Sequence, residues 1–332
     1  MNMQNNDLLL QNEDVLIENE EDVKLDDNEY IEIIVDEANK GIRIDKLIAN
    51  IRTELSRSYI QKLIKDNSVY VNNQPVKSNY KAVVADTITI NIPELTELNI
   101  EPEDIKLDII YEDSDIILIN KPKGMVVHPS AGHYSGTLVN ALMYHCKDEL
   151  SGINGVLRPG IVHRIDMNTT GILIVCKNDH AHTFIAEQLK VHSITRKYNA
   201  LVYGNIKEDG KVDAPIGRHP IERKKMAINR VNGKRAVTHY KVLENLGNKF
   251  AHVECSLETG RTHQIRVHLS SIHHPLVGDD VYGPSKDSFH IQGQALHARV
   301  LGFIHPSTRE YMEFEAPIPE YFNELLDKLK KK

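Results

Sequence analysis

The chain is poor in cysteine. Cys146, Cys176 and Cys255 are far apart among 332 residues, and no CxxC pair occurs. That spacing supports neither a disulfide framework nor a cysteine-based zinc site. No basic stretch followed by an apolar one opens the chain, and no apolar run nears the ~20 residues of a membrane helix. A cytoplasmic, reducing-compartment protein is therefore expected. Neither of the two common glycine-rich phosphate loops is present, and no internal repeat is found. The 17 histidines form no clustered ligand set, and His263 and His268 are five apart, the wrong spacing for two ligands on one helical face. A metal-dependent nuclease or phosphoesterase is disfavoured on that ground. The net charge of −7 is also no general acidity. Acidic residues crowd the first 40 positions against Lys24 and Lys40 alone, and the remainder is mildly basic. The overall charge thus leaves a nucleic-acid partner open.

Residues 1–30 are rich in Asn, Asp and Glu with isolated leucines, and such a segment cannot offset its ordering entropy. An acidic, largely disordered tail is expected over 1–40, with a short strand starting at Tyr30–Val35. Residues 41–92 read as a compact unit. Ile44, Leu47, Ile48 and Ile51 recur at helical spacing, and Ser56 is placed to cap a second helix carrying Ile60, Leu63 and Ile64. Short strands follow at Val69–Val71, around Val76 and at Thr87–Ile92. The helical pair carries Arg43, Lys46, Arg52, Arg57, Lys62 and Lys65 against Asp45, Glu54 and Asp66. This stripe suits a phosphate backbone, although a solvated helix face would look the same. Residues 93–102, with proline near both ends, read as a linker. From 103 to 332 strand patterns outnumber helical ones and do not alternate with them, which predicts a mixed α+β domain.

Three stretches are candidates for chemistry. In VHRIDMNTTGILIV (162–175), Asp166 precedes a run that is apolar on both faces and reads as a central strand. Loops at the ends of such strands display reactive groups, yet an aspartate there also serves simply to bond its own turn amides. In ETGRTHQIRVHL (258–269), Thr262 and Arg266 share one helical face, as do Ile265 and Leu269. An arginine turned inward there demands a carboxylate partner. In ITRKYNALVYG (194–204), Tyr198 and Tyr203 have opposite parity on a strand, so one can line a cleft while the other packs.

Together these residues resemble the ribosomal-RNA pseudouridine synthases of the RluA/RluD family. RPGIVHRIDMNTTG is similar to its signature, and TRKYNALVYG and ETGRTHQIRVHL to its next two motifs. NKPKGMVVHPSAG (120–132), HHPLVGDDVYG (273–283) and QALHARVLGFIHP (294–306) match further. The stretches 215–228 and 236–244 point to the RluD-like branch, and residues 41–92 resemble an S4 RNA-binding domain. Two departures stand out: Met167-Asn168 where the family usually has Lys-Asp, and Asn67-Ser68 where the S4 turn often has glycine. The resemblance implies an S4 domain followed by a catalytic domain built on a long, bent, mostly antiparallel mixed sheet with flanking helices. It implies that Asp166 is the essential carboxylate, that Tyr198 stacks on the target base, and that Arg266 pairs with Asp166. Arg164 would fill the gap left by a flipped uridine, with His163 beside it at the RNA, and Arg43, Lys46, Arg57, Lys62 and Lys65 would contact RNA from the S4 domain. Ile265 would help exclude water. The implied reaction is an isomerisation of uridines in large-subunit ribosomal RNA, at the stem-loop of the subunit interface, with no cofactor and no metal. The same chemistry on another RNA such as transfer RNA, or a non-catalytic ribosome assembly role, are the alternatives.

Overall fold

A computed structural model describes residues 30–331 other than 54, 93–99, 131, 148, 154, 156, 157, 223, 224, 285–288 and 290. Residues 1–29 of the tail expected over residues 1–40, and most of the expected linker, lie outside the described residues. These fall into two compact units, 30–92 and 100–331.

The small unit comprises β1 (Tyr30–Ile34), α1 (Ile44–Ile51), α2 (Arg57–Lys65), β2 (Val69–Val71), β3 (Gln74–Pro75) and β4 (Thr87–Asn91). Its antiparallel sheet has the order β1-β4-β2-β3. Ile31, Ile33 and Val35 turn inward while Glu32 and Ile34 face solvent, the alternation of a strand with one buried face. The sheet therefore begins at Tyr30, ahead of the boundary expected at 41. Ile44, Leu47 and Ile48 of α1 and Ile60, Leu63 and Ile64 of α2 pack on it. Ser56 caps α2 by accepting the Tyr59 amide at 3.2 Å. Asn72 and Asn73 both take positive φ, the two-residue turn that suits a hairpin's twist, and this pairs Val71 directly with Gln74. The strand expected around Val76 consequently lies at Gln74–Pro75.

The large unit comprises β5 (Ile109–Glu112), β6 (Ile116–Lys121), α3 (Leu138–Cys146), β7 (Thr170–Cys176), α4 (Asp179–Lys190), β8 (Thr195–Tyr203) and β9 (Gly210–Asp213). After these come β10 (Ile216–Arg218), β11 (Met226–Ile228), β12 (Val237–Leu246), β13 (Phe250–Leu257), α5 (Gln264–Ser271), β14 (Leu296–Ile304), β15 (Tyr311–Glu315) and α6 (Glu320–Lys330). Nine strands form one sheet in the order β5-β6-β7-β14-β8-β13-β12-β9, with β15 paired along β14. Each pairing is antiparallel except β7 with β14. The ribbon β10–β11 stands apart. This is the expected mixed α+β architecture.

Every residue of β7 is buried, which explains why its sequence shows no alternation. Gly171 has φ +110°, and a Cβ there would fall on the backbone carbonyl of Ala298, so only glycine lets β14 close against β7 at this point. The first residue of β7 follows the loop that carries Asp166. The segment at Ile100 belongs to this unit: Ile100 is buried in its core, and the Glu101 carbonyl accepts from Asn140 at 2.8 Å. Among the described residues no helix is long and apolar enough to cross a membrane.

Candidate active site

The Asp166 loop is held from behind. Lys121, at the end of β6, is fully buried, and its Nζ donates to the carbonyls of Pro122 (2.8 Å), Met125 (2.9 Å) and Met167 (2.9 Å). Three acceptors use all three protons of an ammonium group. Burial pulls its pKa down to about 7, against the opposing effect of Asp166 and with a small further push from Lys123. The Gly124 amide donates to the same Met167 carbonyl at 3.0 Å, and the Thr169 amide closes a turn onto the Asp166 carbonyl at 3.0 Å. Gln294 donates to the Thr169 hydroxyl at 2.9 Å. His163 lies partly buried on the loop's other arm and accepts the Ile174 amide at Nε2, 3.1 Å away. Burial, helped by the Arg196 charge, lowers its pKa to about 3, so it is a neutral acceptor bonded inward to β7. Arg164, beside it, is exposed.

Arg266 reaches this loop from the first turn of α5. Its Nη1 donates to Asp166 Oδ2 at 3.1 Å. The other edge of the guanidinium is forked onto Asp279, with Nε to Oδ2 at 2.7 Å and Nη2 to Oδ1 at 2.9 Å. Such a two-bond fork fixes the plane of the group as well as its place. Asp279 has no exposed side-chain surface and also accepts the amides of Val281 and Tyr282, each at 3.0 Å. Burial would raise its pKa, but Arg266 and those amides outweigh burial and keep it below the ordinary carboxylate range. Burial likewise works against the charge on Arg266, yet Asp279 and Asp166 together hold its pKa above normal. Asp166 keeps 27% of its side chain exposed, whereas Arg266 keeps 6%.

Two aromatic groups and a histidine complete the arrangement. Tyr198 is 8% exposed, and burial raises its phenol pKa, with Arg196 opposing and Asp166 adding to the shift. It therefore sits in the field of Asp166 as a neutral phenol. Tyr203, of opposite parity, packs on Phe250 with ring centroids 5.3 Å apart. His263 caps α5 with φ +55° and lies with Nε2 3.9 Å from Asp166 Oδ1. The Tyr282 hydroxyl accepts the Met226 amide at 2.9 Å and shares a hydrogen bond with His263 Nδ1, also 2.9 Å away. The Arg266 guanidinium lies 5.1 Å from the centroid of the Tyr282 ring. Ile265 is buried beside Arg266 on α5.

Asp166 and Arg266 are thus bonded across separated stretches, and Tyr198 from a third lies within the electrostatic reach of Asp166. Lys121, Asp279, His263 and Tyr282 were given no role from sequence. Lys121 and Asp279 lie within motifs already noted at 120–132 and 273–283. The demand of a buried arginine for carboxylates was legible too, but Asp166 alone was assigned to meet it.

In the small unit, Asp45 is completely buried and accepts from Arg43 (3.1 Å for both Nε and Nη2), Arg57 (3.2 and 3.0 Å) and Gln61 (2.7 Å). Burial would raise its pKa; the bonds from Gln61, Arg43 and Arg57 overcome this and set it at about 2. Arg43 and Arg57 remain about half exposed, and Lys46, Lys62 and Lys65 are exposed.

Two groups of metal-ligating side chains occur among the described residues: Glu112, His145 and Cys146, and Asp113, Asp115 and His305. Burial raises the Cys146 thiol to about 11, which leaves it a protonated and poor ligand. Asp113 already accepts from Tyr111, His305 and the amides of Asp115 and Ile116, and Asp115 from Asn178 and Ser307. Neither group includes a residue of the Asp166 site.

Residues 115–271 match the family model described as RNA pseudouridylate synthase, and residues 42–88 match the S4 domain. An uncharacterized RNA pseudouridine synthase of Bacillus subtilis is 54% identical over 302 residues, covering 91% of this chain and 98% of its own. Ribosomal large subunit pseudouridine synthase D of Zymomonas mobilis is 47% identical over 87% of this chain and 94% of its own. The structure of human RNA pseudouridylate synthase domain containing 1 superposes with a TM-score of 0.53 at 26% identity, over 69% of this chain and 97% of that one. The chain belongs to the RNA pseudouridine synthase family, in its RluD-like large-subunit branch, and joins an S4 domain to the synthase domain.

Proposed function

We propose that this enzyme converts specific uridines of 23S ribosomal RNA to pseudouridine, with Asp166 as the essential carboxylate. One observation carries the reading: a partly exposed carboxylate is aimed by an arginine whose other edge is locked to a second, buried carboxylate. An aspartate serving only its own turn would need neither. In the reaction the N1–C1′ bond breaks, the uracil turns, C5 bonds to C1′, and the proton leaving C5 is balanced by one gained at N1. Nothing is oxidised and no group is donated from outside. C1′ and C5 of a stacked base are out of reach of a side chain, so the uridine is flipped out, with Arg164 filling the vacated place. Tyr198 packs against the extruded base, and buried Ile265 helps keep water from the detached uracil. Arg266 orients Asp166.

The S4 domain, proposed over residues 41–92 with β1 (Tyr30–Ile34) joined to its sheet, supplies Arg43, Lys46, Arg57, Lys62 and Lys65 for phosphate contacts. His163 supports the RNA-facing loop that carries Arg164. The substrate is the large-subunit stem-loop at the subunit interface, free or in a pre-ribosomal particle in the cytoplasm. Carbodiimide mapping of pseudouridine in RNA from cells lacking the gene tests this. Ribosomal sites should vanish, return with the wild-type chain and stay absent with Asp166→Ala. No change at any large-subunit site, or restoration by Asp166→Ala, would overturn the reading.

A further inference from the structure

The buried cations of the large unit are stabilised in different ways. Lys121 spends its protons on carbonyls, Arg266 lies between carboxylates, and Lys123 stands 4.0 Å over the Tyr321 ring. Arg196 has none of these. It sits on β8 with the same parity as Tyr198 and is 8% exposed. Among the described residues its side chain makes one hydrogen bond, from Nη2 to the Glu258 carbonyl at 3.3 Å, and its buried Nε has no partner. Among the described residues no carboxylate pairs with it.

A buried arginine without a counter-ion is unfavourable, and arginine does not escape by releasing its proton. The neighbours make matters worse. Tyr198 is a neutral phenol, His163 is a neutral imidazole, and Arg261 adds like charge. Five N–H donors with one acceptor between them call for an anion from outside the protein. The approach is open at Gly260, which is exposed and lies so close that a Cβ there would stand 2.7 Å from Arg196 Nη1. The outer edge of the guanidinium is thus roofed by a residue with no side chain.

We propose that Arg196, under Gly260, forms a phosphodiester-binding subsite that takes a backbone phosphate flanking the target uridine and is charge-complete only when RNA is bound. The inference rests on the pseudouridine synthase reading of the Asp166 site and deepens it. A base flipped towards Tyr198 and Asp166 carries its own 5′ and 3′ phosphates with it, so the anion arrives with the substrate. A guanidinium fork matches two phosphate oxygens in geometry and charge, and such a contact is blind to base sequence.

The test uses the full-length enzyme and a large-subunit stem-loop RNA carrying a uridine that the wild type converts. The RNA is made with natural linkages, or with one neutral methylphosphonate on either side of that uridine. For the wild type, one of the two neutral linkages should raise Kd about tenfold and reduce the salt slope by about 0.7. Arg196→Gln should show the same loss on natural RNA and no further loss on that neutral RNA. KM should move more than kcat, and Arg196→Lys should recover part of the affinity. Gly260→Val, which roofs the guanidinium, should mimic Arg196→Gln. If Arg196→Gln does not fold, the wild type on neutral linkages still decides. Equal binding of all three RNAs by a wild type that makes pseudouridine overturns this inference alone, as does independent addition of the two losses. A wild type that converts no uridine in ribosomal RNA overturns the synthase reading and this inference with it.

Discussion

Two buried-anchor ion clusters among the described residues are inverses of one another. In the small unit a buried carboxylate, Asp45, is served by two half-exposed arginines and a glutamine. In the large unit a buried arginine, Arg266, is served by one buried carboxylate and one that faces solvent. In each case the buried member is the anchor, and the exposed members are free to act outward. Asp45 is saturated by five N–H donors from three side chains and has nothing left for a ligand. Asp166 accepts a single side-chain bond, from Arg266, of the roughly four a carboxylate can take. The same pair of residue types thus builds a brace in one unit and an open carboxylate edge in the other, and what separates them is which partner is left with unspent capacity.

This contrast is easiest to break at the exposed end. Asp166→Asn should lower pseudouridine formation by about 10⁴-fold or more while leaving the melting temperature nearly unchanged, because it removes a group the fold does not lean on. Asp279→Ala should cost both: about 3 kcal/mol of stability, from stranding Arg266, and about 10²-fold in rate, from letting Asp166 drift. Thermal unfolding and single-turnover kinetics on the same preparation read the two effects. Asp45→Asn should do the reverse of Asp166→Asn, destabilising the small unit by about 2 kcal/mol and leaving the Asp166 chemistry intact at saturating RNA. The pH dependence has a fixed sign. A carboxyl whose folded pKa is about 2 against an ordinary 3.8 contributes fully above about pH 4, and that contribution disappears as the pH falls towards 2. Hydrogen exchange of the α1 and α2 amides in the full chain should show this loss in the wild type and much less of it in Asp45→Asn. The smallest effect is expected from Tyr282→Phe, which removes the hydroxyl bonded to His263 Nδ1 and should lower kcat about fivefold.

Much of this was legible in the sequence where a pattern has a short period. The apolar run of β7, the helical spacing in α1 and α2, and the Ser56 cap all follow from local physics. Helix α3 escaped because it is buried nearly all round, with Leu138, Val139, Asn140, Ala141 and Leu142 inside, so no polar face marks its period. Strand β14 escaped differently. Its place between β7 and β8 depends on pairing with residues more than ninety positions away, and Gly171 permits that approach without announcing its partner. At the site, Asp166 and Arg266 carried motif signals, whereas Asp279 was one of two adjacent aspartates in HHPLVGDDVYG. Only the structure separates the two: Asp279 is buried in the fork, and Asp280 is exposed with its oxygen 3.9 Å from Arg266.

The central claim, that Asp166 is reactive because it is the exposed member of a cluster braced by Asp279, is tested most directly by tritium release. Ribosomal RNA labelled at C5 of uridine loses its label when C5 bonds to C1′, so release counts turnovers without reference to the site modified. The wild type and Asp45→Asn should release tritium at similar rates at saturating RNA, and Asp166→Asn should release none above background. Release by Asp166→Asn at a rate near that of the wild type would contradict the account.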